Sequence, residues 1–166
     1  MAKLTLHGNA IKSIGKLPKL GKKAKKFTMV ANDLSKVKLK DFKGQKVVLN
    51  IFPSIDTGTC AASVREFNKR AASLENTKVL CISRDLPFAQ ARFCGAEGIE
   101  NVITISDYGK GKFGKKYGLT IKTGPLKNLF SRAIIVLDEK HHIVYTEQVK
   151  EIVDAPNYDK ALEALK

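Results

Sequence analysis

Cys60 is the residue whose type and surroundings point most directly to chemistry. It follows Phe52-Pro53-Ser54-Ile55-Asp56-Thr57-Gly58-Thr59 and opens a stretch in which Cys60, Val64, Phe67, Ala71 and Leu74 recur at intervals of 4, 3, 4 and 3. That spacing predicts one apolar stripe along a helix, with the cysteine in its first turn. Residues 47–52 (VVLNIF) are nearly all apolar, as a strand buried on both faces should be. Cys60 therefore lies just beyond the carboxyl end of a strand, where ligand and active sites of α/β folds are found. The first turn of a helix also offers unpaired N–H groups and a positive dipole end, both of which favour an anion. A thiolate there would be a nucleophile. The same cysteine reads equally well as an inert member of the apolar stripe, because buried cysteine is common.

The elements that must hold Cys60 in place follow the same patterns. Residues 78–83 (KVLCIS), 101–106 (NVITIS), 133–137 (AIIVL) and 142–149 read as further strands, the last two joined by the polar turn Asp138-Glu139-Lys140-His141. At the N-terminus, Leu4-Thr5-Leu6-His7 and Ala10-Ile11-Lys12 flank Gly8-Asn9, which predicts a β-hairpin turning on that dipeptide. Glu66 and Arg70 stand at i, i+4 in the favourable order for a helix. A shorter helix is expected over 87–94, opened by Pro87 and closed by Gly95, and a terminal one over 158–166 with Leu162 and Leu165 inward. The order of elements indicates an α/β domain spanning 1–166, a central mixed sheet flanked by helices.

The other reactive types are less informative. Cys81 sits inside an apolar strand and reads as a small buried hydrophobe. Separations of 21 and 13 residues between the three cysteines lack the paired-ligand spacing of a zinc site. His141 and His142 fall in a polar turn and are expected to be exposed. There is no CxxC of a thioredoxin-type electron donor, and Gly109-Lys110-Gly111-Lys112 lacks the spacing of a phosphate loop. Three unevenly placed cysteines form no even disulfide framework, which favours a reducing cytoplasm. No apolar run approaches the roughly 18 residues of a membrane helix, and no secretory signal is expected.

The net charge is +14, and it is unevenly placed: residues 1–46 hold 13 Lys against Asp33 and Asp41. A nucleic-acid arm would carry such charge. The segment has no Arg and, besides His7, only two aromatic rings, Phe27 and Phe42, so it is poor in the groups that read and stack bases. Lysines alternating with apolar residues, as in Val37-Lys38-Leu39-Lys40, instead describe the solvated face of an ordered segment, and no specific nucleic-acid partner is expected.

Pro53-x-x-x-Thr57-x-x-Cys60 has the PxxxTxxC form of the peroxiredoxin active site. Cys60-Ala61-Ala62-Ser63-Val64-Arg65, Asp85-Leu86-Pro87-Phe88-Ala89-Gln90-Ala91-Arg92-Phe93-Cys94 and the run from Gly124-Pro125-Leu126 to Arg132 resemble the thiol peroxidase branch, the atypical two-cysteine type, of that family. The resemblance covers the chain nearly end to end. It implies a thioredoxin-like fold and reduction of hydroperoxides without metal, haem or flavin. It makes Cys60 the peroxidatic thiolate, with Thr57 in hydrogen-bonding reach of sulfur or peroxide and Pro53 shielding the pocket. Arg132 becomes the activating cation and Cys94 the resolving thiol, which traps the sulfenic acid as an intramolecular disulfide after local unfolding. Thioredoxin as reductant and a homodimer with its contact near the site are implied in the same way. A redox sensor that changes partners on oxidation of Cys60 is the rival reading, and continuous turnover separates the two.

Overall fold

The computed structural model describes all 166 residues. The hairpin forms from β1 (Lys3–Leu6) and β2 (Asn9–Lys12), paired Leu6↔Asn9, so the turn is His7-Gly8 and not Gly8-Asn9. Both turn residues have positive φ, 49° and 80°, the geometry whose twist matches that of the flanking strands. A glycine is needed at one of these positions, and the residue sharing the turn lies before it rather than after it.

Glu151 fastens this hairpin. Its carboxylate accepts from Thr5 Oγ1 (2.5 Å), His7 N (2.8 Å) and Gly8 N (3.0 Å). These donors, the Thr5 hydroxyl foremost, hold its pKa down to about 2 from the usual 4.5. Folding thus favours the ionised form; the stabilisation is full above about pH 4.5 and is lost as the pH falls toward 2. The amide resonances of His7 and Gly8 are expected to move in that window, and Glu151→Gln should free the hairpin at neutral pH. Amide positions that stay fixed through the same acid titration would contradict this.

Seven strands form the main sheet, in the order β4-β3-β7-β6-β5-β8-β9. They are β3 (Thr28–Ala31), β4 (Lys36–Lys38), β5 (Lys46–Ile51), β6 (Thr77–Ser83), β7 (Ile103–Ser106), β8 (Ala133–Leu137) and β9 (Ile143–Gln148). β5, β6 and β7 run parallel, and β8 and β9 continue the sheet antiparallel on the other side of β5. The mixed, thioredoxin-like sheet expected from the sequence is present. β3, β4, a 3₁₀ turn at Leu39–Phe42 and the short helix α3 (Lys112–Lys116) had no clear sequence signal. These pieces are three to five residues long, too short for either hydrophobic period to show.

Period-2 alternation assigns the two cores. Val47, Leu49 and Ile51 of β5 join Phe27, Met29, Phe113, Tyr117 and Phe130 on one face. Val48, Phe52, Val79 and Cys81 join α1 (Gly58–Ala71), α2 (Pro87–Glu97) and α4 (Tyr158–Glu163) on the other. Val64 and Phe67 on α1 are wholly buried. Burying side chains of this size contributes about 1.5–3 kcal/mol each, which fixes the face α1 presents to the sheet and with it the position of Cys60. The Glu66–Arg70 pair forms at 2.6 Å, and Arg70 also reaches Asp159 of α4.

Two further expectations need correction. α2 does not stop at Cys94; it runs to Glu97 and is closed by Gly98, which takes the left-handed φ of 63°. Gly95 is not among the glycines with positive φ, so it is an interior helical residue. His141 is 8% exposed, not solvated. Its φ of 61° turns the ring inward, where Nε2 lies 3.0 Å from Phe42 O and 3.2 Å from Gln45 O. Both neighbours are acceptors, so Nε2 carries the proton. His142 is partly exposed, as expected. Among the 13 lysines of residues 1–46, only Lys38 and Lys46 are even half-buried, in keeping with a solvated basic face.

Candidate active site

β5 delivers its last residue, Ile51, to a loop, Phe52 to Thr57, that enters α1. Pro53 in that loop is buried. Thr57 is the N-cap of α1, with extended backbone (φ −96°, ψ 149°) and no side-chain cap hydrogen bond. Its hydroxyl donates to Ser54 O at 3.1 Å and its amide donates to the same carbonyl at 3.2 Å, which closes the loop on itself. In this conformation the Thr57 hydroxyl is thus committed to the loop and not to the sulfur.

Cys60 has no solvent exposure. The Arg132 guanidinium donates through Nη2 to its Sγ at 3.3 Å. Arg132 is 2% exposed, and its Nε donates to Ile152 O at 2.9 Å, which orients the planar head. Topology explains the meeting across 72 residues. β8 pairs antiparallel with β5, with Ala133 opposite Ile51, so the residue before β8 lies beside the end of β5. The remaining guanidinium nitrogen, Nη1, is buried with no partner. A buried charge with an unmet donor is costly, and an anion or acceptor beside the sulfur would relieve both deficits. Tyr158, not anticipated from the sequence, closes the α4 side; its ring meets Phe67 edge-on at 5.3 Å, and burial pushes its phenol pKa up.

Cys94 is half-buried and far along α2. Its Sγ lies 3.4 Å from Thr104 Oγ1, and its carbonyl accepts from Gly98 N and Ile99 N at the helix end. All three cysteines are free thiols. Cys60 and Arg132 therefore touch each other, and Pro53 and Thr57 lie in the adjoining loop, whereas the Cys94 sulfur is engaged with Thr104 within an intact helix.

Cys81 lies on the sheet beneath these helices, beside Asn50 on β5 and Thr104 on β7. Burial pushes its thiol up to about 12, so it stays neutral at pH 7. Asn50 Nδ2 is 3.6 Å from its sulfur. Cys81→Ala should cost about 1 kcal/mol through lost packing and leave unchanged the peroxide turnover that the sequence resemblance implies. Native alkylation at about pH 8 should spare Cys81. Loss of turnover in a well-folded Cys81→Ala protein would show that the wrong thiol had been assigned.

Sequence reasoning passed over Asp85. It lies between β6 and α2, and its carboxylate accepts from Ser54 Oγ (2.7 Å), Ile55 N (2.7 Å) and Ser83 Oγ (2.5 Å). A carboxylate just after a buried strand and before a helix-opening Pro87 was the available signal. What it grips could not be read from the chain. Arg92 of α2 also pairs with Asp56 of the loop at 3.0 Å.

Comparison with known proteins gives a consistent relationship. The model of the Redoxin family matches residues 19–162. The chain is 53% identical over 165 residues to a thiol peroxidase of Corynebacterium glutamicum, covering 99% of each. A peroxiredoxin-like protein from Aquifex aeolicus superimposes with a TM-score of 0.92 at 34% identity, over 99% of this chain and 98% of that one. A thiol peroxidase from Chromobacterium violaceum shares the fold with a TM-score of 0.88 at 23% identity, over 97% and 93%. With the PxxxTxxC loop folded against a buried cysteine and arginine, and with these relationships, the chain belongs to the Redoxin family, in the thiol peroxidase branch of the peroxiredoxins.

Proposed function

We propose that this thiol peroxidase reduces hydroperoxides through Cys60 and closes its cycle through Cys94. The observation that carries the assignment is the 3.3 Å contact between Arg132 Nη2 and a wholly buried Cys60 Sγ, beside an unpartnered Nη1 on the same head. The Cys60 thiolate attacks the nearer peroxide oxygen. The O–O electron pair leaves with the distal oxygen, which takes a proton and departs as water or alcohol. Sulfur is oxidised to sulfenic acid as the peroxide is reduced. The guanidinium stabilises the thiolate before attack and the charge on the departing oxygen during it, in a site that excludes water. Pro53 walls the pocket. Thr57 serves the substrate once its hydroxyl turns from Ser54 O.

The Cys94 thiol then attacks the sulfenic sulfur, forming a disulfide and releasing water. This step has α2 unwind around Cys94, whose sulfur is engaged with Thr104 Oγ1 inside the intact helix while Cys60 is wholly buried. A dithiol of the thioredoxin type reduces the bridge, restoring both thiols. The resemblance supports a homodimer working in the cytoplasm, residues 1–166 acting as one catalytic domain. Leu86 and Phe88, exposed at the start of α2, give an apolar surface for that contact beside the site. No helix is long and apolar enough to cross a membrane.

A coupled assay with thioredoxin, its reductase and NADPH tests the reading. Continuous NADPH consumption on addition of hydroperoxide, abolished in Cys60→Ser, is the expected result. A single stoichiometric oxidation with no turnover would instead favour a redox sensor.

A further inference from the structure

Two segments must stay closed while peroxide reacts and must open for the disulfide to form. They are the loop carrying Pro53 to Thr57 and the helix carrying Cys94. The hydrogen bonds around Asp85 join them. One carboxylate oxygen accepts from the Ser54 hydroxyl; the other accepts from the Ile55 amide and the Ser83 hydroxyl. Ser83 Oγ in turn accepts from Gln90 Nε2 of α2 at 3.1 Å, and Gln90 Nε2 also reaches Ile105 O at 3.1 Å. Ser83 and Gln90 are wholly buried. The backbone of Asp85 is fixed as well, because Ser106 Oγ donates to its carbonyl. A continuous path therefore runs from Ser54 through Asp85 and Ser83 to the helix that holds Cys94.

We infer that Asp85 is a positioning residue that couples the peroxidatic loop to α2, so that the two open together and the balance between closed and open states is set at its carboxylate. The inference rests on the assignment of Cys60 and Cys94 above. A carboxylate is needed because three donors converge on it. An amide would present one acceptor oxygen and turn an NH₂ group on at least one donor. If the loop opens alone, Ser54 and Ile55 lose their acceptor; if the start of α2 moves alone, Gln90 loses Ser83. Ser83 Oγ accepts from Gln90 while donating to Asp85, and donation and acceptance through one hydroxyl strengthen each other, so releasing either segment weakens the hold on the other, the condition for a shared two-state element. The Asp56–Arg92 pair spans the same two segments but is exposed, 60% and 68% at the side chains. Ion pairs of that kind contribute little, so the part-buried path through Asp85, which ends on the wholly buried Ser83 and Gln90, dominates.

The test separates closing from opening. Asp85→Asn weakens the closed state, which serves the peroxide step, and favours the open state, which serves resolution. Rapid quench followed by mass spectrometry should show Cys60 oxidation slowed about tenfold, in line with the cost of a misplaced reacting group. The fraction of Cys60 reaching sulfinic acid at a given hydrogen peroxide concentration should fall severalfold, because resolution is no longer delayed. Ser54→Ala should act in the same direction, and Ser54→Ala/Asp85→Asn should add little to Asp85→Asn, since both remove one interaction. An unchanged ratio of sulfinic acid to disulfide in Asp85→Asn, even with a lowered Tm, would reduce Asp85 to a structural residue and overturn the inference. Should Asp85→Asn fail to fold, Ser54→Ala and Ser83→Ala carry the same measurement, and a wild-type ratio in both would overturn it. Peroxide consumption that persists in Cys60→Ser would overturn the underlying site assignment instead.

Discussion

Arg132→Met is expected to lower the rate of peroxide reduction by about 10²–10³, the usual loss on deleting one donor to developing charge. Methionine keeps most of the bulk and removes the cation and its fork of N–H groups. At 2% exposure Arg132 is no surface residue, and one face of its head is on the Cys60 sulfur. Removing it withdraws stabilisation from the thiolate before reaction and from the departing oxygen during it. The fold should survive, because methionine removes the unmet buried Nη1 donor together with the cation and fills most of the same space. The Nε bond to Ile152 O is lost as well, so the segment around Ile152 should loosen slightly. Arg132→Lys should recover little: a single ammonium cannot satisfy Ile152 O and the sulfur with the planar geometry of a guanidinium. Rapid-mix oxidation of the reduced variants by hydrogen peroxide gives the rates, and iodoacetamide alkylation of Cys60 at neutral pH gives the nucleophilicity separately. A less than twofold change in both for Arg132→Met would remove Arg132 from the mechanism.

Cys94→Ser should consume about one peroxide per chain and then stop, because the sulfenic acid forms but has no partner thiol. Turnover with thioredoxin should fall sharply, and conversion of Cys60 to sulfinic acid should rise with peroxide concentration. The substitution is mild in the folded state, since a hydroxyl replaces the thiol beside Thr104 Oγ1 and the helix remains intact. In the wild type, closing a loop of 34 positions gains about 4 kcal/mol in the chain-entropy model. Against this stands the packing of α2 that must be given up, including buried Gln90 and Phe93. The two effects offset one another, leaving a bridge that a partner dithiol can reduce. Mass spectrometry of peroxide-treated wild type should find Cys60 linked to Cys94. The absence of that linkage, or steady turnover in Cys94→Ser, would rule out the intramolecular scheme.

The stripe Cys60, Val64, Phe67 and the apolar run before it were sufficient to place a cysteine in the first turn of a helix at the carboxyl end of a buried strand. Both are local consequences of periodicity, and both are found. The long strands of the central sheet were legible for the same reason. Local rules failed where two candidates competed nearby. The hairpin turned one residue early, and α2 passed Gly95 to end at Gly98, because composition names the glycine but not which φ the fold imposes. His141 went inward because a left-handed turn aimed it at carbonyls more than ninety residues away, which no window of sequence contains. The pairing at the candidate site is of that kind. Arg132 meets Cys60 because β8 runs antiparallel beside β5, and Asp85 meets Ser54 and Ile55 because β6 runs parallel on the other side. Residue types and spacing determined which groups the chain has to use. The strand order of the sheet decided which of them touch, since side chains from separate segments converge only where neighbouring strands end together.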